Sequence, residues 1–292
     1  MKTVIGDRTG SAAVDTAGAQ LVSLKNAEGR EYLWQGDPKY WAGQAPILFP
    51  IIGSLRNNRA EVQGKSYEML RHGIARHMEF ERTAASNAAV SFLLKSTPET
   101  KERYPFDFEF TVAYRFENRM LSVGFTVKNT GSAEMPFAVG GHPAFNCPLE
   151  KDERFEDYDV IFAKKETASC PQQNPETRLL DFSDRVPVLQ DQDVLPMDHK
   201  LFANDVLVFD RLHSDAVTLK SRKTGHGVRL GFAHFPFLGI WSAEGGAPFV
   251  ALEPWTGCST APDEGDDLLQ KRNMMHLNPG DSRSIGFTVT IL

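Results

Sequence analysis

The residues able to do chemistry gather in four short segments of the 292-residue chain. The first runs from Trp41 to Arg56 and the second from Arg71 to Phe80. The third spans Gly140 to Asn146, and the fourth joins Trp241-Ser242 to Leu252–Cys258. Each concentrates His, Glu, Trp, Gly and Pro at a break between apolar runs. His142 follows Phe137-Ala138-Val139 and two glycines, and precedes Pro143. Glycines let a backbone come close to a ligand, and an imidazole exchanges protons near neutral pH. Glu253 sits between Val250-Ala251-Leu252 and Pro254. A carboxylate in such a run is costly to bury, and burial raises its pKa, as suits a general base. The two form a candidate acid–base pair. Taken singly, each has a structural alternative: a histidine that bonds a turn, and a buried salt bridge from Glu253 to Arg56 or Arg76.

Trp241 and Trp255 flank Glu253. A sugar presents an apolar C–H face that stacks on aromatic rings, so tryptophan beside acid–base groups fits a carbohydrate pocket; core packing is the ordinary use of the same residue. His72, Arg76 and His77 supply hydrogen bonds to hydroxyls or pair with surface acids. The three cysteines, Cys147, Cys170 and Cys258, are odd in number and lack metal-ligand spacing, so reduced thiols and no metal are expected.

The elements that must position these groups are strands. Phe106, Phe108, Phe110, Val112, Tyr114 and Phe116 alternate with Asp107, Glu109, Thr111, Ala113 and Arg115, a period of two that sends one set to a buried face. Leu121, Val123, Phe125 and Val127 repeat the pattern after a turn at Glu117-Asn118-Arg119, which makes an antiparallel hairpin. Val217-Leu219 and Val228-Leu230-Phe232 make another, residues 89–94 add a strand, and Ile285, Phe287, Val289 and Ile291 form one more. Helices are confined to short pieces near 98–104 and 198–204. The segment 150–192, polar and punctuated by Pro171 and Pro175, reads as a long excursion over the surface. The expected fold is mainly β, a large antiparallel β-sandwich forming one domain over 1–292, because so many long strands must pack sheet on sheet or close on themselves.

A net charge of −6 and a pI near 5.8 argue against a nucleic-acid partner. No stretch approaches the ~20 apolar residues needed to cross a bilayer, and the first residues have no signal-peptide core. A cytoplasmic protein with no membrane partner is expected, as a monomer or homodimer.

The four segments together resemble the aldose 1-epimerases, more closely the subgroup of lactose-operon X-like proteins. The resemblance runs from about Trp34 onward. It is carried by Ala-Pro-Ile-Leu-Phe-Pro-Ile-Ile-Gly at 45–53, His-Gly-Ile-Ala-Arg at 72–76, Gly-Gly-His-Pro-Ala-Phe-Asn at 140–146 and Glu-Pro-Trp-Thr-Gly at 253–257. It implies a sugar substrate, no cofactor and a cleft across one sheet. His142 then resembles the acid that protonates the ring oxygen, and Glu253 the base that takes the anomeric proton. His72 resembles a second contact near the ring oxygen, and Asp205, with Asp198 behind it, a hydroxyl-binding aspartate. The family places an arginine after the glycine of the first string, where this chain has Ser54. Arg56, two residues on, is expected to turn into the cleft in its place. Three other readings stay open. A hexose-6-phosphate epimerase would gather Arg56, Arg71 and Arg76 around the phosphate. A non-catalytic sugar-binding protein would keep the cleft alone, and a glycosidase would need a second carboxylate.

Overall fold

The computed structural model describes residues 1–292. The aromatic alternation becomes strand Phe108–Glu117, paired in antiparallel register with Met120–Asn129 so that Phe110 faces Val127 and Tyr114 faces Val123. Phe106 lies just before the strand but is still buried. The expected helix near 98–104 shrinks to Pro98–Lys101, with a reciprocal cap between Thr97 and Thr100. This hairpin is half of the central region of a nine-stranded sheet. Its order is Leu180–Pro196, Tyr158–Gln173, Ala216–Ser221, Gly227–Gly231, Ser282–Ile291, Met120–Asn129, Phe108–Glu117, Ala89–Lys95 and Glu81–Ala85. Every pairing in it is antiparallel.

A smaller sheet packs across it, in the order Leu207–Phe209, Phe237–Trp241, Phe249–Trp255, Gly140–Gly141 and Ile47–Leu48, with Ala144–Asn146 also paired to Phe249–Trp255. The alternation along its strands assigns their faces. Leu238, Ile240, Val250 and Leu252 point into the main core, a cluster of 64 buried residues between the sheets. Phe237, Phe249, Ala251 and Trp255 point the other way, into two smaller clusters that Trp241 packs against. Because both faces are covered, Phe249–Trp255 is buried at all seven positions. That is why it reads as a continuous apolar run rather than an alternating one. The two sheets lock through aromatic contacts such as Phe49 on Phe110, stacked at 4.5 Å between ring centroids.

The segment 150–192 is not a surface excursion. It contains most of a long antiparallel hairpin, Tyr158–Gln173 with Leu180–Pro196, whose first strand continues the large sheet through Ala216–Ser221. Its pairing slips register four times, at Ile161/Glu166, Glu166/Ala168, Ala168/Ser169 and Pro171/Gln172. Each slip breaks the period-two pattern, so the strand signal is lost although Tyr158, Val160 and Phe162 still enter the core. The expected helix near 198–204 is a single 3-10 turn, His199–Phe202. No helix is long and apolar enough to cross a membrane.

Candidate active site

On the outward side of the smaller sheet lies a cavity of about 240 Å³. Glu253 rises from the middle of Phe249–Trp255, on the same face as Ala251 and Trp255. Across the ladder its partner is Gly239. A Cβ there would come within 2.9 Å of the Trp255 ring and 3.3 Å of the Glu253 Cβ, so glycine leaves the carboxyl its room. His142 follows Gly140–Gly141, which pair with Leu48 and Ile47. The backbone at Gly141 lies so close to Phe287 of the large sheet that a Cβ would approach its ring to 2.8 Å. The backbone that carries His142 is thereby held close against the large sheet.

His142 Nε2 and Glu253 Oε2 stand 3.2 Å apart, with both side chains almost wholly buried. The contact is not aligned as a hydrogen bond, and Glu253 Oε2, His142 Nδ1 and Trp255 Nε1 are buried without a partner. Polar atoms left so are uncommon in folded proteins, and here the cavity is what they share. Burial, more than any charge, raises the Glu253 carboxyl well above its usual range, with Arg71 pulling the other way. Burial first and then Arg71 push His142 down to about 3. Both shifts favour the uncharged form of each group, the carboxylic acid of Glu253 and the neutral imidazole of His142.

Aromatic rings frame the histidine. Trp41 stacks on it at 4.8 Å and 24°, Trp241 meets it edge-on at 5.6 Å, and His72 meets it edge-on at 5.8 Å. His72 is held by a reciprocal contact, in which its backbone N–H donates to the Gly53 carbonyl and the Gly53 N–H donates to His72 Nδ1 at 3.2 Å. Its φ of 68° is in the left-handed region, as is that of Asp205 at 73°. Non-glycine residues held there cost about 1–3 kcal/mol, and such strain concentrates at functional sites. Burial, then Arg71, keeps His72 well below the ordinary histidine range.

Asp205 lies two residues before Leu207–Phe209, where Val206 faces the cavity. Its Oδ2 accepts from Arg71, from Arg178 at 3.0 Å and from Gln173 at 3.1 Å. Arg76 also lines the cavity, half-buried and with no carboxylate partner; burial, then the neighbouring Arg71 charge, lowers its pKa.

Of the residues expected from sequence, His142, Glu253, His72, Arg76, Asp205 and Trp241 all line this one cavity. Arg56 does not. Its guanidinium donates to Asp266 at 3.1 Å and to the carbonyls of Ala261 and Pro262. The two-residue offset from Ser54 fails because the chain leaves extended geometry: residues 56–58 form a 3-10 turn with Asn57 at φ 53°. Arg71 is the guanidinium that enters instead, from the position just before His72. The sequence pattern marks Arg71 only as a phosphate contact and gives Trp41 no role of its own, although Trp41 opens the first segment. Asp198 caps the 3-10 turn, accepting from the Lys200 N–H, and is not part of the cavity. His77 is exposed and outside it. Cys258 is buried behind the site, and all three cysteines are free. No three His, Cys, Asp or Glu side chains converge as a metal site requires.

Fold and site together define a β-sandwich protein with a buried imidazole–carboxyl pair at a tryptophan-lined, sugar-sized cavity. The chain belongs to the aldose 1-epimerase family, whose model matches residues 1–264. It is 43% identical over 283 residues to the LacX protein of Lactococcus lactis subsp. lactis, covering 95% of each chain. Among solved structures it superposes with a TM-score of 0.95 on a galactose mutarotase related enzyme from Lactobacillus acidophilus, 34% identical and covering 100% of this chain and 97% of that one. A galactose mutarotase-like protein from Lactobacillus casei gives 0.93 at 32% identity, with both chains fully covered.

Proposed function

We propose that the protein interconverts the α and β anomers of a free aldose by opening and reclosing its ring. The observation that carries this reading is the His142–Glu253 pair, 3.2 Å apart with unpartnered atoms at one cavity. Glu253 takes the proton of the anomeric hydroxyl while His142 protonates the ring oxygen, and the C1–O5 bond breaks to leave an aldehyde. Rotation about C1–C2 and reclosure with the proton movements reversed give the other anomer. The protein needs one proton on the pair for this. Carboxylic acid beside imidazole holds the same single proton as carboxylate beside imidazolium, so a short transfer from Glu253 to His142 converts the resting form into the working one. Arg71, Asp205 and His72 hold sugar hydroxyls, and the faces of Trp41 and Trp241 receive C–H groups. Acid and base of this kind contribute ~10²–10⁴-fold each.

The test is polarimetry on freshly dissolved α-aldoses. Glu253→Gln and His142→Asn should each abolish nearly all catalysed mutarotation while the circular dichroism stays unchanged. Groups that act as a unit are not additive, so the double variant should be little worse than either single one. A single variant that keeps most of its activity would assign the acid or base to another residue.

Arg76 supports a second reading within the same reaction. A half-buried guanidinium without an acidic partner, beside Arg71, suits an anionic substituent such as a 6-phosphate. Arg76→Ala should then raise KM for glucose 6-phosphate roughly 10- to 100-fold, the loss of one charged hydrogen bond, and leave glucose nearly unchanged. Equal effects on both sugars would exclude the phosphate reading.

A further inference from the structure

Two of the donors that hold Asp205 come from outside the cavity. Its Oδ2 accepts from Gln173 at 3.1 Å and from Arg178 at 3.0 Å, and neither residue lines the site. Both belong to the far end of the long hairpin. Gln173 is the last residue of Tyr158–Gln173, and Arg178 stands in the turn that leads to Leu180–Pro196. We propose that Arg178 is a positioning residue for the reaction, holding the Asp205 carboxylate from the hairpin turn so that its other oxygen meets a sugar hydroxyl. The inference rests on the epimerase reading and adds to it a residue that touches no substrate.

Three observations support it. The first is the asymmetry of the carboxylate. Gln173, Arg178 and Arg71 all donate to Oδ2, and no protein group donates to Oδ1. The torsion that turns a carboxylate is soft, so donors gathered on one oxygen decide where the other points. Asp205 lines the cavity, and Oδ1 is the oxygen it has left to offer a hydroxyl. The second is the order of the distances. Both terminal nitrogens of Arg71 lie 3.4 Å from Oδ2, beyond the usual range for such a bond, whereas Arg178 lies at 3.0 Å. One carboxylate thus faces two guanidinium charges. The nearer one matches it, and Arg71, which does line the cavity, keeps N–H groups for the substrate. The third is the build of the turn. Asn174 Oδ1 accepts from the Glu176 and Thr177 N–H groups at 2.9 Å each, and the Asn174 carbonyl accepts from the Arg178 N–H at 2.9 Å. Arg178 takes a φ of 60°, a conformation that costs free energy in a residue other than glycine. The turn is also docked on the site. The Leu180 N–H donates to the Thr260 carbonyl at 3.0 Å, and the Leu180 side chain is buried in the cluster that holds Val206 and Trp255. A turn tied in this way keeps a half-exposed guanidinium in one place.

The experiment uses Arg178→Ala, Arg178→Lys, Asp205→Asn and the double variant Arg178→Ala/Asp205→Asn. Each is measured by polarimetry on freshly dissolved α-glucose and α-galactose, and by calorimetric titration with the same sugars. Arg178→Ala should raise KM and the dissociation constant about tenfold, the scale of one charged hydrogen bond, with kcat within about threefold. Arg178→Lys restores the charge and should recover part of that loss. The pH profile of kcat and the urea midpoint should stay close to those of the wild type. Because Arg178 acts through Asp205, removing it should change little further once Asp205 is Asn. An unchanged KM in Arg178→Ala, a loss confined to stability, or the same loss from Arg178→Ala in both backgrounds would overturn the proposal. Sugar binding that follows this pattern in the titration, without catalysed mutarotation of any sugar, would uphold the positioning role and overturn the epimerase reading.

Discussion

Glu253 and His142 are both buried, and for both the largest influence on the proton is loss of water rather than a neighbouring charge. The consequence extends to stability. His142 binds a proton near 6.5 when exposed and near 3 in the folded protein. Between these values the unfolded chain takes up a proton that the folded one refuses. The fold therefore loses stability as pH drops through this window, by at most about 1.4 kcal/mol per pH unit. His72 shifts in the same direction and adds to the loss. Glu253 acts oppositely, since its folded pKa is raised: the stability it contributes is lost as pH rises above its ordinary 4.5. Urea denaturation of the wild type and His142→Gln at pH 6.5 and pH 5 isolates the histidine. The wild type should lose about 1.6 kcal/mol more than the variant over that interval. Equal losses would show that His142 is not held neutral. At this scale the sequence was most informative where a polar residue interrupts an apolar run, as at His142 and Glu253. It misplaced the arginine because a same-face argument holds only while the backbone stays extended, and at Asn57 it does not.

The elements that carry the site were legible in proportion to their regularity. Phe108–Glu117 and Met120–Asn129 keep an unbroken alternation and read directly as a hairpin, whereas the bulged hairpin of 158–196 hides its period at every slip. The Asp37–Gln44 loop carries no strand signal, yet it delivers Trp41 to His142. The loop is anchored where Trp34 Nε1 donates to the Trp41 carbonyl at 2.9 Å and where the Tyr40 and Trp41 N–H groups donate to Asp37. Gly43 lets the indole lie flat, for a Cβ there would come within 2.4 Å of the Trp41 ring. Gly43→Ala should therefore tilt Trp41 off the imidazole and lower kcat on the order of 10- to 100-fold, the usual scale for misplacing a catalytic group by about an ångström. KM should move less, and the melting temperature should change little for a loop residue. Unchanged kcat with the protein folded would reduce the Trp41–His142 stack to simple packing.

Across the whole molecule, the site draws on residues 41, 72, 142, 205 and 253, far apart along the chain, and the pairing of strands within the smaller sheet brings their segments to one cavity. The large sheet has a further property with a bearing on how the protein is made. Ser282–Ile291, the strand furthest along the chain, lies between Gly227–Gly231 and Met120–Asn129, with four strands on either side. During synthesis the ribosome delivers this strand after both halves that it joins. Until it emerges, each half offers an unpaired inner edge, and the space that Phe287, Val289 and Ile291 fill stays open. The two halves of the large sheet therefore cannot pair through their central strand until Ser282–Ile291 has been synthesised. A chain ending at Asp281 should be recovered mainly as aggregate, and a synthetic peptide of residues 282–292 added during refolding should return part of it to solution. Soluble, sugar-binding protein without the strand would mean that the two halves close on each other unaided.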